Sequence, residues 1–400
     1  MPQRNVYPAV LPLLLLVVPL HQTAPSTVYW AAPAILISAL MIAWAAESAQ
    51  FFIAQGFALA ILAWMQTLPE FAVEAVFAWT RQVPLLLANL TGALRLLTGL
   101  GWPVIYFTAS IFHRRRNRTP LRAIRLDAHH SVEVMGLLVP LIYIAIVLAK
   151  GSLTIVDSAV LIAIYFAYLG VLHRLPPESP ESIDELETVP RAIVTARRAY
   201  RIGAIVVLFA AGGGLIYYAA RPFAESLLSI AALVGVPSFV MVQWVAPIIS
   251  EFPEMASTTY FARTAERAPM ALMNMVSSNI NQWTLLVAML PIVYSFSLGH
   301  AETIPLDSQQ RIELLMTLGQ ALTGMMFLLN MSLAWWEASA LLVLFLVPFV
   351  NPVSAKIVTV LYFAWAGVEI LRMIRTEHTP AALLRFIETW KAHVSAPGKK

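Results

Sequence analysis

Residues 68–89 read LPEFAVEAVFAWTRQVPLLLAN, and residues 252–274 read FPEMASTTYFARTAERAPMALMN. With one residue inserted in the second stretch, Pro69-Glu70 falls on Pro253-Glu254, Ala72 on Ala256 and Phe77-Ala78 on Phe261-Ala262. Thr80 then falls on Thr264, Pro84 on Pro269 and Asn89 on Asn274. Pro, Glu and Asn shared at fixed spacing are hard to attribute to a common apolar composition, so the chain contains an internal repeat. The likeness extends beyond the segment pair: 311–350 lays two apolar spans over 130–172, with LLVLFLV paralleling VLIAIYF.

The surroundings identify the solvent of this repeat. Of 400 residues, 59% are hydrophobic and 12% charged, where a soluble domain carries about 25% charged residues. Mean hydropathy is +0.74. About twelve apolar spans are predicted, near 8–20, 30–50, 51–80, 84–112, 130–149, 153–173, 201–220, 223–261, 269–296, 311–330, 333–350 and 353–373. A helix needs about 20 such residues to cross a bilayer. Membrane β-barrels instead show short alternating strands. The fold class is therefore all-α and polytopic. With no cysteines, disulfides, thiol catalysis and Cys-ligated metals are excluded.

Free charge is concentrated in three places: HRRRNRTPLRAIR (113–125), the stretch 174–201 and the basic tail from Leu371. Counting spans, all three fall on the same side as the N-terminal MPQR, whereas SLGHAETIPLDSQQ (297–310) on the other side has no Lys or Arg. The positive-inside rule then predicts a cell-membrane protein with both termini in the cytoplasm. The short AVLPLLLLVVPL resembles the apolar core of a signal peptide but reads better as a retained helix. On this count the helix carrying Glu70 and the one carrying Glu254 run in opposite directions, which makes the halves inverted-topology repeats. We divide the chain into an extra N-terminal helix or signal-like segment (1–29), a first repeat (30–173), a cytoplasmic linker (174–200), a second repeat (201–350) and an extra C-terminal helix with its tail (351–400). Each repeat holds about five helices. The basic residues sit in loops between spans, so no nucleic-acid role is read from the net charge of +4. The oligomeric state is not legible.

An ionised carboxylate among apolar residues is costly and, inside a membrane, functional by default. Glu251 and Glu254 lie in PIISEFPEMA with VPSFVMVQWV just upstream and no cation between them. The proline before each central acid breaks a helix and frees a carbonyl there. Inverted-repeat transporters place their site where such discontinuous helices meet.

At these residues the chain resembles the sodium/calcium exchanger (cation/Ca²⁺ antiporter) superfamily. Its two α-repeats each carry a GTSLPE-like motif, followed on the next helix by a GNxxGSNIxN-like one. Here the first repeat reads MQTLPE (65–70) and NLTGALRLL (89–97); the second reads ISEFPE (249–254) and NMVSSNINQ (274–282). The resemblance implies a secondary active antiporter exchanging Ca²⁺ or another cation for Na⁺ or H⁺ by alternating access. It implies no catalytic residue and no cofactor beyond the transported ions, with cations and the lipid bilayer as partners. The central carboxylates are Glu70 and Glu254. The neighbouring oxygen-donor positions become Gln66 and Thr67 in the first repeat, and Ser250 and Glu251 in the second. On the next helix the second repeat has Ser278 and Gln282 where the first has Ala93 and Leu97, with Arg95 between them.

The ligand set implied is thus Glu70, Glu254, Glu251, Thr67, Gln66, Ser250, Ser278 and Gln282. A hard cation takes six to eight oxygens, which these side chains and freed carbonyls can supply. Their weight toward the second repeat, and the missing oxygens at Ala93 and Leu97, point to weakened Na⁺ sites and altered coupling. Glu251, an acid beside an acid, is suited to carrying a proton. Two other classes compete: a non-transporting descendant with a degenerate ion site, suggested by the losses at Ala93 and Leu97 and by Arg95, which could neutralise an acid, and an intramembrane enzyme. The second lacks an HExxH, a serine nucleophile motif or a His-rich cluster. Glu47, Glu74 and Glu225 read as interfacial, Asn89 and Asn274 as helix-packing groups, and His129-His130 as a loop pair without a third metal ligand. The amphipathic stretch 380–393 reads as a helix on the membrane surface.

Overall fold

The computed structural model describes residues 24–49, 51–52, 67–175, 186–376 and 379–395. The expected first span at 8–20 and Gln66 lie outside them. The described chain is almost entirely helical. α1 is Val28–Ala49, α2 Leu68–Trp79, α3 Val83–Leu96 and α4 Trp102–Asn117. After a short strand β1 (Ala123–Arg125) come α5 (Ser131–Lys150), β2 (Ser152–Leu153) and α6 (Ile155–Leu172). A short helix α7 (Thr188–Val194) leads into the second half: α8 (Arg198–Val234), α9 (Ser238–Ser250), α10 (Phe252–Phe261), α11 (Ala268–Asn281) and α12 (Val287–Leu298). It continues with β3 (Ile304–Pro305), α13 (Ser308–Leu328), β4 (Ser332–Ala334) and α14 (Trp335–Val350). Two further helices follow, α15 (Ala355–Thr376) and α16 (Ala381–Thr389). Among the described residues, seven helices are long and apolar enough to cross a membrane. Large side chains such as Ile142, Ile146, Phe166, Val207 and Ile357 are more than half exposed, an arrangement suited to lipid rather than water.

The repeat seen in sequence is a repeat of elements. α3 matches α11 residue for residue, and each passes through one π turn, Leu97–Gly101 in the first half and Gln282–Leu286 in the second. The halves interlock: α8 packs on α1 and α2, α9 on α3, α11 on α5, and α12 on α2 and α6. Two antiparallel strand pairs tie the repeats together. β1 pairs with β4 (Ile124 opposite Leu333) and β2 with β3 (Leu153 opposite Ile304). α5 separates β1 from β2 by about 30 Å, so the two clasps sit at opposite ends of the bundle.

One expected boundary moves. The spans 201–220 and 223–261 are divided differently, because α8 runs unbroken through Pro222. Helix interiors in membranes tolerate proline where neighbours re-satisfy the freed carbonyl. Arg221, which suggested a loop, instead pairs with Glu225 one turn on at 2.8 Å. The true break is at Gly235, in the left-handed conformation (φ +70°) that ends helices, with Pro237 just beyond. At 37 residues α8 is about 55 Å long, more than a bilayer core requires. The expected surface helix is also docked: Ala382 of α16 is fully buried, and its amide donates to the Leu329 carbonyl at 2.9 Å.

The tightest crossing is between α3 and α9. A Cβ on Gly92 would collide with the backbone carbonyl of Gln243. Backbone cannot yield as a side-chain tip can, so Gly92→Ala is expected to destabilise by about 1–3 kcal/mol. A lowered thermal unfolding midpoint in detergent checks this.

Candidate functional site

Both central acids occupy the first turn of a helix whose second residue is proline: Glu70 in α2 after Pro69, and Glu254 in α10 after Pro253. The proline fits there because that amide has no intrahelical partner anyway. The positive end of the helix dipole favours a carboxylate at the same place. In the second half the preceding helix α9 ends at Ser250, and Glu251 is the joint between α9 and α10. Pro253 has no N–H for the carbonyl of Ile249, which leaves a backbone oxygen available at the break.

The acids meet across the repeat interface. Glu70 lies within direct electrostatic reach of Glu254, and Glu251 within reach of Glu70, Glu254 and Glu74. Ser250 approaches Glu70. Glu70, Glu74 and Glu251 are at most 1% exposed. Polar groups from α11 converge on them. Ser278 Oγ donates to Glu254 Oε2 at 2.9 Å, Gln282 Nε2 donates to Glu251, and Asn281 Nδ2 donates to Thr67 Oγ1 at 3.1 Å. Asn281 and Gln282 flank the start of the π turn, whose wide geometry lets adjacent residues reach two different helices. The structure therefore brings together Glu70, Thr67, Ser250, Glu251, Glu254, Ser278 and Gln282. Ala93 and Leu97, the counterparts of Ser278 and Gln282, are buried and contribute no oxygen.

Two expectations are corrected. Glu74 is not interfacial: it is fully buried, its Oε1 accepts a hydrogen bond from Asn89 Nδ2 at 3.3 Å, and it joins the acid cluster. One helical turn separates it from Glu70, and i,i+4 residues share a face. Asn281, which the motif comparison passed over, also belongs to the site. Arg95 does not neutralise any of these acids. Its Nη1 lies 3.1 Å from Glu313 Oε2, its Nε donates to the Thr91 carbonyl at 3.1 Å, and its guanidinium sits 5.5 Å from the centre of the Trp244 ring. Gln243 Nε2 completes the group by donating to Glu313 at 3.0 Å.

Among the described residues, no Lys or Arg forms an ion pair with Glu70, Glu74, Glu251 or Glu254. Both Glu70 carboxylate oxygens and one each of Glu74 and Glu254 lie buried without a hydrogen-bond partner there. Four carboxylates cannot remain ionised together in such a place unless cations or protons compensate them. Either protons on the carboxyls or a bound cation can supply that compensation.

Comparison with known proteins identifies the family and fold. The family model for sodium/calcium exchanger proteins matches residues 25–173 and 204–351. The crystal structure of an H⁺/Ca²⁺ exchanger, CAX, superposes with a TM-score of 0.85 at 30% identity, covering 98% of this chain and 96% of that one. The Ca²⁺/H⁺ antiporter protein YfkE (TM-score 0.57, 16% identity, 89% of this chain and 96% of that one) shares the fold. So does the sodium-calcium exchanger NCX_Mj (0.51, 17%, 82% of this chain and 97% of that one). Among curated proteins, none matches significantly. With both repeats matched and nearly the whole chain aligned to a relative, this polytopic membrane protein belongs to the sodium/calcium exchanger protein family.

Proposed function

We propose that the protein is a secondary active antiporter that exchanges Ca²⁺ for protons at the four-glutamate cluster. The observation that carries this reading is the cluster itself: four acids from both repeats, three of them at most 1% exposed, with no Lys or Arg paired to any of them among the described residues. Ca²⁺ would take carboxylate oxygens of Glu70 and Glu254, with Ser250, Ser278, Thr67 and the Ile249 carbonyl completing a six- to eight-oxygen shell. Glu251 and Glu74, hydrogen-bonded by Gln282 and Asn89, would hold protons when Ca²⁺ is absent. One Ca²⁺ or two protons offset the same two of the four carboxylate charges, so the cluster carries equal charge in both loaded states and can face each side in turn.

Protons are preferred over Na⁺ for two reasons. The positions at which the family resemblance would place first-repeat oxygens hold Ala93 and Leu97, and the 30%-identical relative is an H⁺/Ca²⁺ exchanger. A non-transporting role rests on the losses at Ala93 and Leu97 and on Arg95, and of these Arg95 is engaged with Glu313 rather than with a site acid. Transport rather than catalysis is the reading. Both termini and the 113–125 loop belong in the cytoplasm by their basic charge, and the moving halves are 30–173 and 201–350.

The test is Ca²⁺ uptake into proteoliposomes. An inside-acid pH gradient without Na⁺ is expected to drive it, and dissipating the gradient to stop it. Because Ca²⁺ and protons compete for the same carboxylates, apparent Ca²⁺ affinity should fall as the pH of the binding side falls. Uptake that requires Na⁺ and ignores the pH gradient overturns the proton assignment.

A further inference from the structure

The link between β1 and α5 carries a cluster unconnected with the acids above. Asp127, His129 and His130 place one potential metal-ligating atom each so that all three lie within 4.8 Å of one another. Sequence offered only the histidine pair; the extended backbone at Asp127, followed by the tight turn Ala128–His130, swings the carboxylate onto the same side as both rings. Asp127 stands where a helix-capping residue would, yet its side chain does not cap the turn. The rings of His129 and His130 are 4.1 Å apart, centre to centre. His130 is only 3% exposed, and its Nδ1 is buried without a hydrogen-bond partner among the described residues. Glu133, one turn on, brings a carboxylate oxygen to 3.9 Å from that nitrogen, and its other oxygen is also buried and unpartnered.

A buried imidazole nitrogen left unbonded beside a second imidazole and a carboxylate is a costly arrangement unless something binds there. We propose that Asp127, His129 and His130 form a transition-metal site of the Zn²⁺ class, with His130 Nδ1 as the buried ligand atom and Glu133 as a further carboxylate beside it. Imidazole nitrogens with one carboxylate suit Zn²⁺ and its neighbours rather than Ca²⁺ or Mg²⁺, which prefer all-oxygen shells. Bonds of about 2.0–2.1 Å around tetrahedral Zn²⁺ put ligand atoms about 3.3 Å apart. The three atoms therefore need to close by little more than an ångström, within reach of side-chain rotation in a partly exposed turn.

The position gives the site a structural consequence. The turn packs against α16, while β1 just before it pairs with β4 of the other repeat. A bound metal would pin the point where the first repeat, the second repeat and the C-terminal helix meet.

The experiment uses the full chain in detergent or nanodiscs, with ZnCl₂ as probe, and Co²⁺ to report tetrahedral nitrogen and oxygen ligation by its visible absorption. Zn²⁺ should bind one per chain, persist in a large excess of Ca²⁺ and raise the thermal unfolding midpoint. Asp127→Asn and His129→Ala, both at accessible positions, should each weaken binding about tenfold or more, and Asp127→Asn should do so without lowering the metal-free midpoint. His130→Gln, which risks the fold, is read only by Co²⁺ absorption on protein that remains monodisperse. No stoichiometric binding, or binding unchanged in the Asp127→Asn/His129→Ala double variant, overturns the site. So does Zn²⁺ binding that Ca²⁺ displaces and Glu254→Gln removes, since that metal would sit among the transport acids.

Discussion

Glu254→Gln is expected to reduce pH-driven Ca²⁺ transport by at least about a hundredfold while leaving the protein folded. The substitution preserves shape and leaves an amide oxygen to accept the bond from Ser278 Oγ. What it removes is one full charge beside a divalent cation. At about 4 Å and an effective dielectric of 20, that attraction amounts to about 8 kcal/mol, so compensation by water and the amide dipole would have to be nearly complete to hide the effect. A neutral amide costs less to bury than a carboxylate, so the thermal midpoint should hold or rise. Glu70→Gln should behave alike, because Glu70 occupies the same helical position in the opposite repeat. A Ca²⁺-sensitive dye trapped in proteoliposomes reads both variants. Wild-type flux from either would remove the acid cluster from the transport path.

The pairing of Glu70 with Glu254 was legible because proline and glutamate are rare inside apolar spans, and their recurrence at matched spacing survived the divergence of nearly everything around them. Glu74 was misread for the same reason. Its counterpart is Thr258, so a symmetry argument passes over it, although its place four residues after Glu70 put it on the same helix face. The two π turns had no local signal: LTGLG and QWTLL share no pattern, and only the packing shows why both helices widen there. The break after α8 was legible in Gly235 and Pro237, but Arg221-Pro222 offered a stronger false one. Glu313 lay beyond reach altogether. It sits near the start of α13 in a polar run that reads as interfacial, and nothing near it in sequence announces a partner on α3.

That partnership makes Arg95 the residue whose loss should cost most stability. Arg95→Leu is expected to destabilise the protein by about 3 kcal/mol, the lower end of the range for breaking a buried ion pair. The lower end applies because the Glu313 side chain, at 16% exposed against 4% for Arg95, can be partly rehydrated. Arg95→Lys should not rescue it fully, since Lys cannot bond both Glu313 and the Thr91 carbonyl in the forked geometry of a guanidinium. Removing both charges, with Arg95→Leu and Glu313→Leu together, should recover most of the loss, because the cost lies in the stranded charge rather than in the missing contact. Unfolding midpoints of the two single variants and the double variant form the cycle that checks this. A harmless Arg95→Leu would mean that Glu313 is already solvated in solution. The pair joins α3 of the first repeat to α13 of the second, with Gln243 of α9 donating to the same carboxylate. It holds α3 at a point between the two halves. Arg95 thus braces the helix that carries the first-repeat counterparts of Ser278 and Gln282 and pairs with none of the four glutamates.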